Sequence, residues 1–553
     1  MKRKLEEIVA ELDSVDTVRE RFTPLQLQER EPKLRLPDGL DPRDPYALFS
    51  LFLPDSLFEA MSRNTNAYAA RKLAGGDPFP HARAWHPTSP AEIKVFVGIL
   101  IYMGVHHITS VEDLWRRDGK VPSHLPSQYM SRVRFEQIQR FLKVSDPRED
   151  DERKRSNSKE WWYKVELMAN CFQEAAARYY QPGSWLAVDE IMVRCFGRTN
   201  HSYRMPHKPI KQGYKIFALA ERGYVFAIAW TSKLWGIMEL FKYPGLSPTA
   251  SMVLNLITKL PRLPTRAEGS EKRGPEVNYS IYMDNFFTSI PLFKELRHIG
   301  CGACGTARQK ASFIPKALAE LKEHSRNIDW GTAFFVLKDD VLCWAWQDNN
   351  IVLGLTTMHT PDTVLTLPRK RPAETSTNGH IVRPVFGDEV IKELGIPKFI
   401  DDYNQHMGGV DIANQLRASY ESHRKKLRVW FPLFYFFLDV SIVNAYRMHR
   451  IWLEQTEGST AAERTSQKEF RIDLYCRLFQ FGTKKNDLPP QRLDRTRNHR
   501  RFHDGKLVVC AWCKHKGTKV RGRVPRSTSG CEECGKVSLC LKSKCWEEFH
   551  GLQ

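Results

Sequence analysis

A chain of 553 residues exceeds one ordinary hydrophobic core, so several domains are expected. Its 42% hydrophobic and 27% charged content is that of a globular protein, and no stretch approaches the roughly 18 uncharged apolar residues of a membrane span. The net charge of +20 points to a polyanionic partner, nucleic acid first, over a merely basic surface.

The start, Met1-Lys2-Arg3-Lys4, leads into acidic residues, unlike a secretory signal. Residues 1–43 are charged and broken by Pro24, Pro32, Pro37 and Pro42, and are expected to form a mobile arm, helical near Lys4–Leu12. From 44 to 183 the apolar residues recur at helical spacing, as in Ile93, Phe96, Val97, Leu100 and Ile101 behind the cap and first-turn proline Ser89-Pro90. Ser131 is a second candidate cap. This all-α segment is expected to bind DNA or dimerise; nothing in it looks catalytic.

Residues 184–306 carry the chemistry. Ser184 to Val188 is an apolar strand that rises into Asp189 and Glu190. A carboxylate at the end of a core strand costs several kcal/mol unless it is paired or holds a metal. Ion pairing, helix capping and metal binding all stay open for Asp189 on this stretch alone. Ile191–Phe196, Tyr214–Ala220 and Tyr224–Trp230 read as strands, with Arg204, Lys208, Lys211 and Lys215 in and after a basic turn that suits phosphate contact. A helix near Ser251–Leu260 and a loop from Pro261 to Pro275 follow. Asn278 to Asp284 is again a strand delivering an acid, before a helix from Ile290 to His298 and a strand from Cys301 to Thr306. That order of strands and helices resembles a ribonuclease-H-like fold, which would set Asp189 and Asp284 on neighbouring strands. The second acid favours a metal over the blander explanations.

Residues 307–396 are expected to be an insertion, with a three-stranded patch (Phe334–Leu337, Val341–Trp346, Ile351–Leu355) and a flexible basic stretch, Pro368-Arg369-Lys370-Arg371-Pro372. Residues 397–420 complete the core. There Gly408-Gly409 opens a helix with Asp411 in its first turn and Asn414 one turn later on the same face. An acid in a first turn favours the helix dipole, and it is also where a third metal ligand would enter. Residues 421–483 return to helix, with Arg424, Lys425, Lys426 and Arg428 at the start of the apolar helix Leu427–Arg447 as candidate phosphate contacts.

From Lys484 to Arg526 there are 14 Lys or Arg against three Asp. Residues 484–505 read as a basic linker to a cysteine-rich module at 506–553. Cys510-x2-Cys513, Cys531-x2-Cys534, Cys540, Cys545 and His550 give seven evident zinc ligands, because each knuckle offers two thiolates to one tetrahedral site. Two filled sites need eight, with His515 or His503 as the eighth; one filled site is the alternative. Disulfides are not expected in a chain without a secretory signal.

These motifs resemble the piggyBac-type transposases. The resemblance rests on Val188-Asp189-Glu190, Arg204-Met205-Pro206-His207-Lys208-Pro209, Asp284-Asn285-Phe286-Phe287-Thr288-Ser289, Tyr403-Asn404-Gln405 with Gly408-Gly409-Val410-Asp411, and the terminal cysteines. It covers the chain from about Pro45 to its end. It implies an α/β multidomain protein with a ribonuclease-H-like core and a DDD-type cut-and-paste activity, with Asp189, Asp284 and Asp411 as the catalytic acids. Asn414 stands where that family often has a fourth acid; its carbonyl oxygen can still coordinate but brings no charge. Two Mg2+ in the active site, Zn2+ in the terminal module, double-stranded DNA (element ends and TTAA targets), a homodimer and a nuclear location are implied with it. A catalytically silent, domesticated DNA-binding protein of the same fold is the alternative.

Overall fold

The computed structural model describes residues 3–26, 28–75, 85–116, 120–238, 241–261, 279–426, 428–482, 501–531, 537–540 and 545–550. Most of the expected 261–275 loop, most of the 484–505 linker, and Cys534 lie outside the described residues. The elements that position the candidate site are the strands, taken here in chain order. A short pair, β1 (Lys33–Leu34) and β2 (Tyr180–Gln181), precedes the main run of β3 (Trp185–Arg194), β4 (Tyr203–Arg204), β5 (Gln212–Glu221), β6 (Tyr224–Ser232) and β7 (Gly236–Ile237). Then come β8 (Ser280–Met283), β9 (Gly302–Ala307), β10 (Ala333–Lys338), β11 (Val341–Gln347) and β12 (Ile351–Thr356).

These form one ten-stranded mixed sheet in the order β10-β11-β12-β9-β8-β3-β5-β6-β7, with β4 pairing to β5. The three central strands β3, β8 and β9 run parallel; the others are antiparallel. Parallel neighbours need crossovers, and the helices Pro248–Ile257 and Ile290–His298 supply them. β6 is buried along its whole length, and β5 along all but its first residue, as expected for strands covered on both faces.

Helices cover the sheet. Phe431–Thr456 is the longest and is buried over most of its length. No helix among the described residues is long and apolar enough to cross a membrane. The helices Pro45–Phe52, Asp55–Ala74, Pro90–Val105 and Arg132–Phe141 lie in the segment 44–183, expected to be all-α, which also holds the strand β2 near its end. Ser89 and Ser131 cap theirs by accepting from the Glu92 and Arg134 N–H groups.

Three further expectations change. The arm before residue 44 is docked, not mobile: Ile8, Val18, Phe22 and Leu25 are buried, and the Asp13 and Leu25 N–H groups donate to Phe335 and Thr357. A few well-spaced apolar residues anchor it despite its charged composition. The patch expected within 307–396 is part of the main sheet, because β12 pairs with β9. The basic Pro368–Arg371 stretch is ordered as well. Its first three residues belong to β13 (Val364–Lys370), which pairs with β14 (Ile391–Pro397) with Pro368 opposite Glu393. A two-stranded ribbon leaves each strand an open edge, where proline is tolerated.

Candidate active site

β3 does not end at Asp189 but runs on to Arg194, because its antiparallel partner β5 extends to Gly213. Its parallel partner β8 stops earlier, with Val188 opposite Met283. Asp189 and Asp284 therefore follow side by side on neighbouring strands about 5 Å apart, at the notch where β8 gives out. The Asp284 carboxylate accepts from the Phe286 N–H at 2.8 Å, and its carbonyl accepts from the Thr288 hydroxyl at 2.9 Å. Asp189 accepts from the Glu190 N–H at 2.7 Å.

The third acid arrives on the helix Gly409–Ser419. A Cβ at Gly409 would lie 2.7 Å from the Ala220 carbonyl oxygen and 3.2 Å from the Ala187 Cβ, so glycine alone lets this helix seat on the sheet. Ala187 and Asp189 share a face of β3, which puts Asp411, in the first turn, on the side of Asp189. Asp411 is exposed and Asn414 half-buried; the Asn414 Oδ1 is buried with no hydrogen-bond partner among the described residues.

Burial pushes the Asp189 carboxyl up to about 7, and the charges of Glu190, Asp284 and Asp411 add to the rise. Asp284 is also raised, by burial first and then by Glu190, against the opposing charges of Lys208 and Arg308. Carboxylates that repel one another, two of them half-buried, beside an orphaned amide oxygen, fit a divalent cation of the hard class. In protein stripped of metal, Asp189 holds its proton more tightly folded than unfolded. Its stabilising contribution is then complete below about 3.8 and lost as pH rises through about 7. Metal-free protein is thus expected to melt progressively lower across that window, with Asp189→Asn flattening the profile; thermal melts at stepped pH check this.

Glu190, which the strand pattern alone does not mark as a site residue, borders the acids. Its side chain is 7% exposed, with Oε1 2.9 Å from the Lys208 Nζ and Oε2 3.8 Å from the Lys215 Nζ. A second acid inside an apolar run was the available signal. Lys208 and Lys215, expected at phosphates, turn toward this carboxylate. Arg204 and Lys211 are exposed on the same connection. In the other basic group, Lys426 donates to the Gln139 side chain at 2.7 Å and Arg428 to the Arg140 carbonyl, tying it to the helix Arg132–Phe141. Lys425 lies over the Phe196 ring, and Arg424 is half-buried.

Near the C-terminus, β15 (Arg501–Val509), β16 (Arg526–Cys531) and β17 (Val537–Ser538) form a small sheet. Beside it, one ligand atom from each of Cys510, Cys513, Cys540 and Cys545 lies within 4.8 Å of the others. The Cys513 Sγ is 3.7 Å from that of Cys540 and 3.3 Å from that of Cys545. A disulfide needs about 2.05 Å, whereas four thiolates about 2.3 Å from one zinc sit roughly 3.8 Å apart. The Cys510 Sγ accepts from the Cys513 and Cys540 N–H groups. Of the expected ligands, Cys531 is buried in the same small core but outside this group of four. The four are all cysteines, and among the described residues His515 rests against the Trp512 ring while His503 bonds to the Ser529 hydroxyl. The His550 side chain lies outside what the structure describes.

A family model described as Transposase IS4 matches residues 44–446. The human piggyBac transposable element-derived protein 3 is 25% identical over 535 residues, covering 92% of this chain and 76% of the relative. The human piggyBac transposable element-derived protein 2 is 24% identical over 519 residues, with the same two coverages, 92% and 76%. The fold is similar to that of a piggyBac transposase solved in a synaptic complex with hairpin DNA. The TM-score is 0.64 at 23% identity, over 84% of this chain and 85% of the other. The matched span runs from the first helix of the all-α segment into the long helix Phe431–Thr456 and takes in Asp189, Asp284 and Asp411, so this chain belongs to the Transposase IS4 family and is of the piggyBac type.

Proposed function

We propose that this chain is a metal-dependent DNA transposase of the DDD type, working through a ribonuclease-H-like core. The observation that carries the proposal is the notch at the end of β8, where Asp189 on β3 lies beside Asp284, the residue just past the parallel strand β8, and Asp411 arrives on a helix that only Gly409 lets dock. Asp189, Asp284 and Asp411 would hold two Mg2+, with the Asn414 carbonyl as a further ligand. Bound Mg2+ supplies Lewis-acid chemistry, activating a water or a 3′-hydroxyl and stabilising charge at the phosphate. The attacking oxygen bonds to phosphorus as the bond to the 3′ oxygen breaks, and the freed 3′-hydroxyl attacks in the next transfer.

Double-stranded DNA is the proposed partner, supported by the net charge of +20 and by the hairpin DNA in the complex of the similar transposase. TTAA targets, a homodimer and a nuclear location follow from the family resemblance. An excision reporter carrying the DNA that flanks this gene tests the proposal in cells. Seamless repair at TTAA with wild type is expected. Tight binding to the same DNA without excision would favour the second reading, a catalytically silent binder. Asn414 in place of an acid favours that reading, as does the derivation of the named human relatives from transposable elements.

The cysteine group is proposed to hold zinc. Purified protein is expected to carry at least one zinc per chain by elemental analysis, and Cys540→Ser to lose one. The small module's fold depends on that ion, so Cys540→Ser should also open it to protease. Wild-type zinc content in Cys540→Ser would refute the assignment.

A further inference from the structure

Asp189 and Glu190, as neighbours in a strand, leave β3 on opposite faces. The helix carrying Asp411 docks on the Ala187 and Asp189 face. Glu190 lies directly opposite Phe217 across the β3–β5 pair, and Lys215 shares that side of β5 two residues away. The Lys215 ammonium is 4.8 Å from the centre of the Phe217 ring and 4.4 Å from that of Phe286, the residue two after Asp284. Aromatic rings on a cation fix its position and displace water from it. Lys208 comes from the β4–β5 turn, closed by hydrogen bonds from Lys208 N–H to Met205 O and from Met205 N–H to Lys211 O. Its ammonium reaches Glu190 at 2.9 Å, yet the Lys208 side chain stays 45% exposed.

One buried carboxylate thus holds two ammoniums, one more positive charge than it neutralises. The Lys215 ammonium lies over Phe286, two residues after Asp284, and Lys208 meets it at Glu190, next to Asp189 in sequence, so the pair flanks the notch. We propose that Glu190 is a positioning residue that sets Lys208 beside the scissile phosphate, with Lys215 as the buried anchor. Charge builds on the phosphate oxygens during transfer, and a cation already in place stabilises it without reorganisation. Lys208 then acts in the transition state, not as one more contact along the DNA backbone. This inference rests on the DNA-cleaving reading above.

The test compares wild type with Glu190→Gln, Lys208→Ala, Lys208→Arg and Asp284→Asn on a labelled duplex carrying the flanking DNA. Single-turnover cleavage is followed in Mg2+, and affinity for the same duplex is measured by anisotropy in Ca2+. Lys208→Ala is expected to slow cleavage on the order of 10²-fold, and Glu190→Gln roughly 10- to 100-fold by analogy with lost supporting-shell contacts. Both should bind DNA within about threefold of wild type, and Lys208→Arg should recover most of the rate. A simple backbone contact would instead weaken binding and lower the salt slope by about one unit, with little change in rate. That pattern, or a wild-type rate in Glu190→Gln, overturns the inference. If Asp284→Asn is dead while Glu190→Gln cleaves normally, only this inference fails. If wild type itself does not cleave, the DNA-cleaving reading fails with it.

Discussion

Asp284→Asn is expected to lower DNA strand cleavage on the order of 10³-fold or more while leaving the fold intact. Losing one of the three carboxylates proposed to hold the metal removes charge where the proposed reaction needs it most, and about 4 kcal/mol of transition-state stabilisation corresponds to that factor. The fold should survive for a local reason. The asparagine oxygen can still accept from the Phe286 N–H, and the backbone carbonyl keeps its bond from the Thr288 hydroxyl. Burial already pushes the Asp284 carboxyl up, so an uncharged amide removes a strain from metal-free protein. Cleavage gels and a thermal melt on the same preparation check both halves: a dead enzyme with an unchanged or slightly raised melting temperature.

Asp439→Ala is expected to destabilise the protein by about 3–5 kcal/mol, the cost of breaking a buried ion pair by removing one partner. Asp439 is 1% exposed in the long helix Phe431–Thr456, and Arg471, on the helix Gln467–Gln480, is fully buried. The carboxylate accepts from Arg471 at 3.2 Å and from both the Ser422 N–H and hydroxyl, at 2.9 and 3.1 Å. Arg471 also donates to the Tyr420 carbonyl at 3.0 Å. This joint fastens the chain just after the helix that delivers Asp411, so its loss should loosen the site as well as the core. Urea denaturation checks the size. The double variant Asp439→Leu/Arg471→Met should recover part of the loss, since Arg471 is then no longer a buried unpaired charge, while the buried Arg417 still loses the charge of Asp439. A loss below about 1 kcal/mol for Asp439→Ala would contradict this account of the joint.

What the sequence makes legible here is what local pattern carries. The apolar run into Asp189, the strand before Asp284, the capped helix behind Ser89 and the glycine pair before Asp411 each follow from a few adjacent residues, and each lies where expected. Non-local pairing is less legible. Nothing in Ile351–Leu355 announces that it joins Cys304–Ala307 in the main sheet, because either strand could equally pair within its own patch. The N-terminal arm looks mobile by composition, yet Ile8, Val18, Phe22 and Leu25 are buried along it. The role of Glu190 depends on two lysines that are 18 and 25 positions away in sequence, and on which way they turn. The cysteine spacing points to a metal module, but not to the grouping of Cys510 and Cys513 with Cys540 and Cys545.

The most direct test of the central claim is strand cleavage by purified wild-type protein on duplex DNA from the flank of this gene, with Mg2+ or with chelator. The carboxylate notch predicts breaks ending in a 3′-hydroxyl at the junction, present with Mg2+, absent with chelator and absent for Asp284→Asn. Tight binding with no cleavage in Mg2+, or cleavage that Asp284→Asn leaves untouched, would contradict a metal-dependent active site built on Asp189, Asp284 and Asp411.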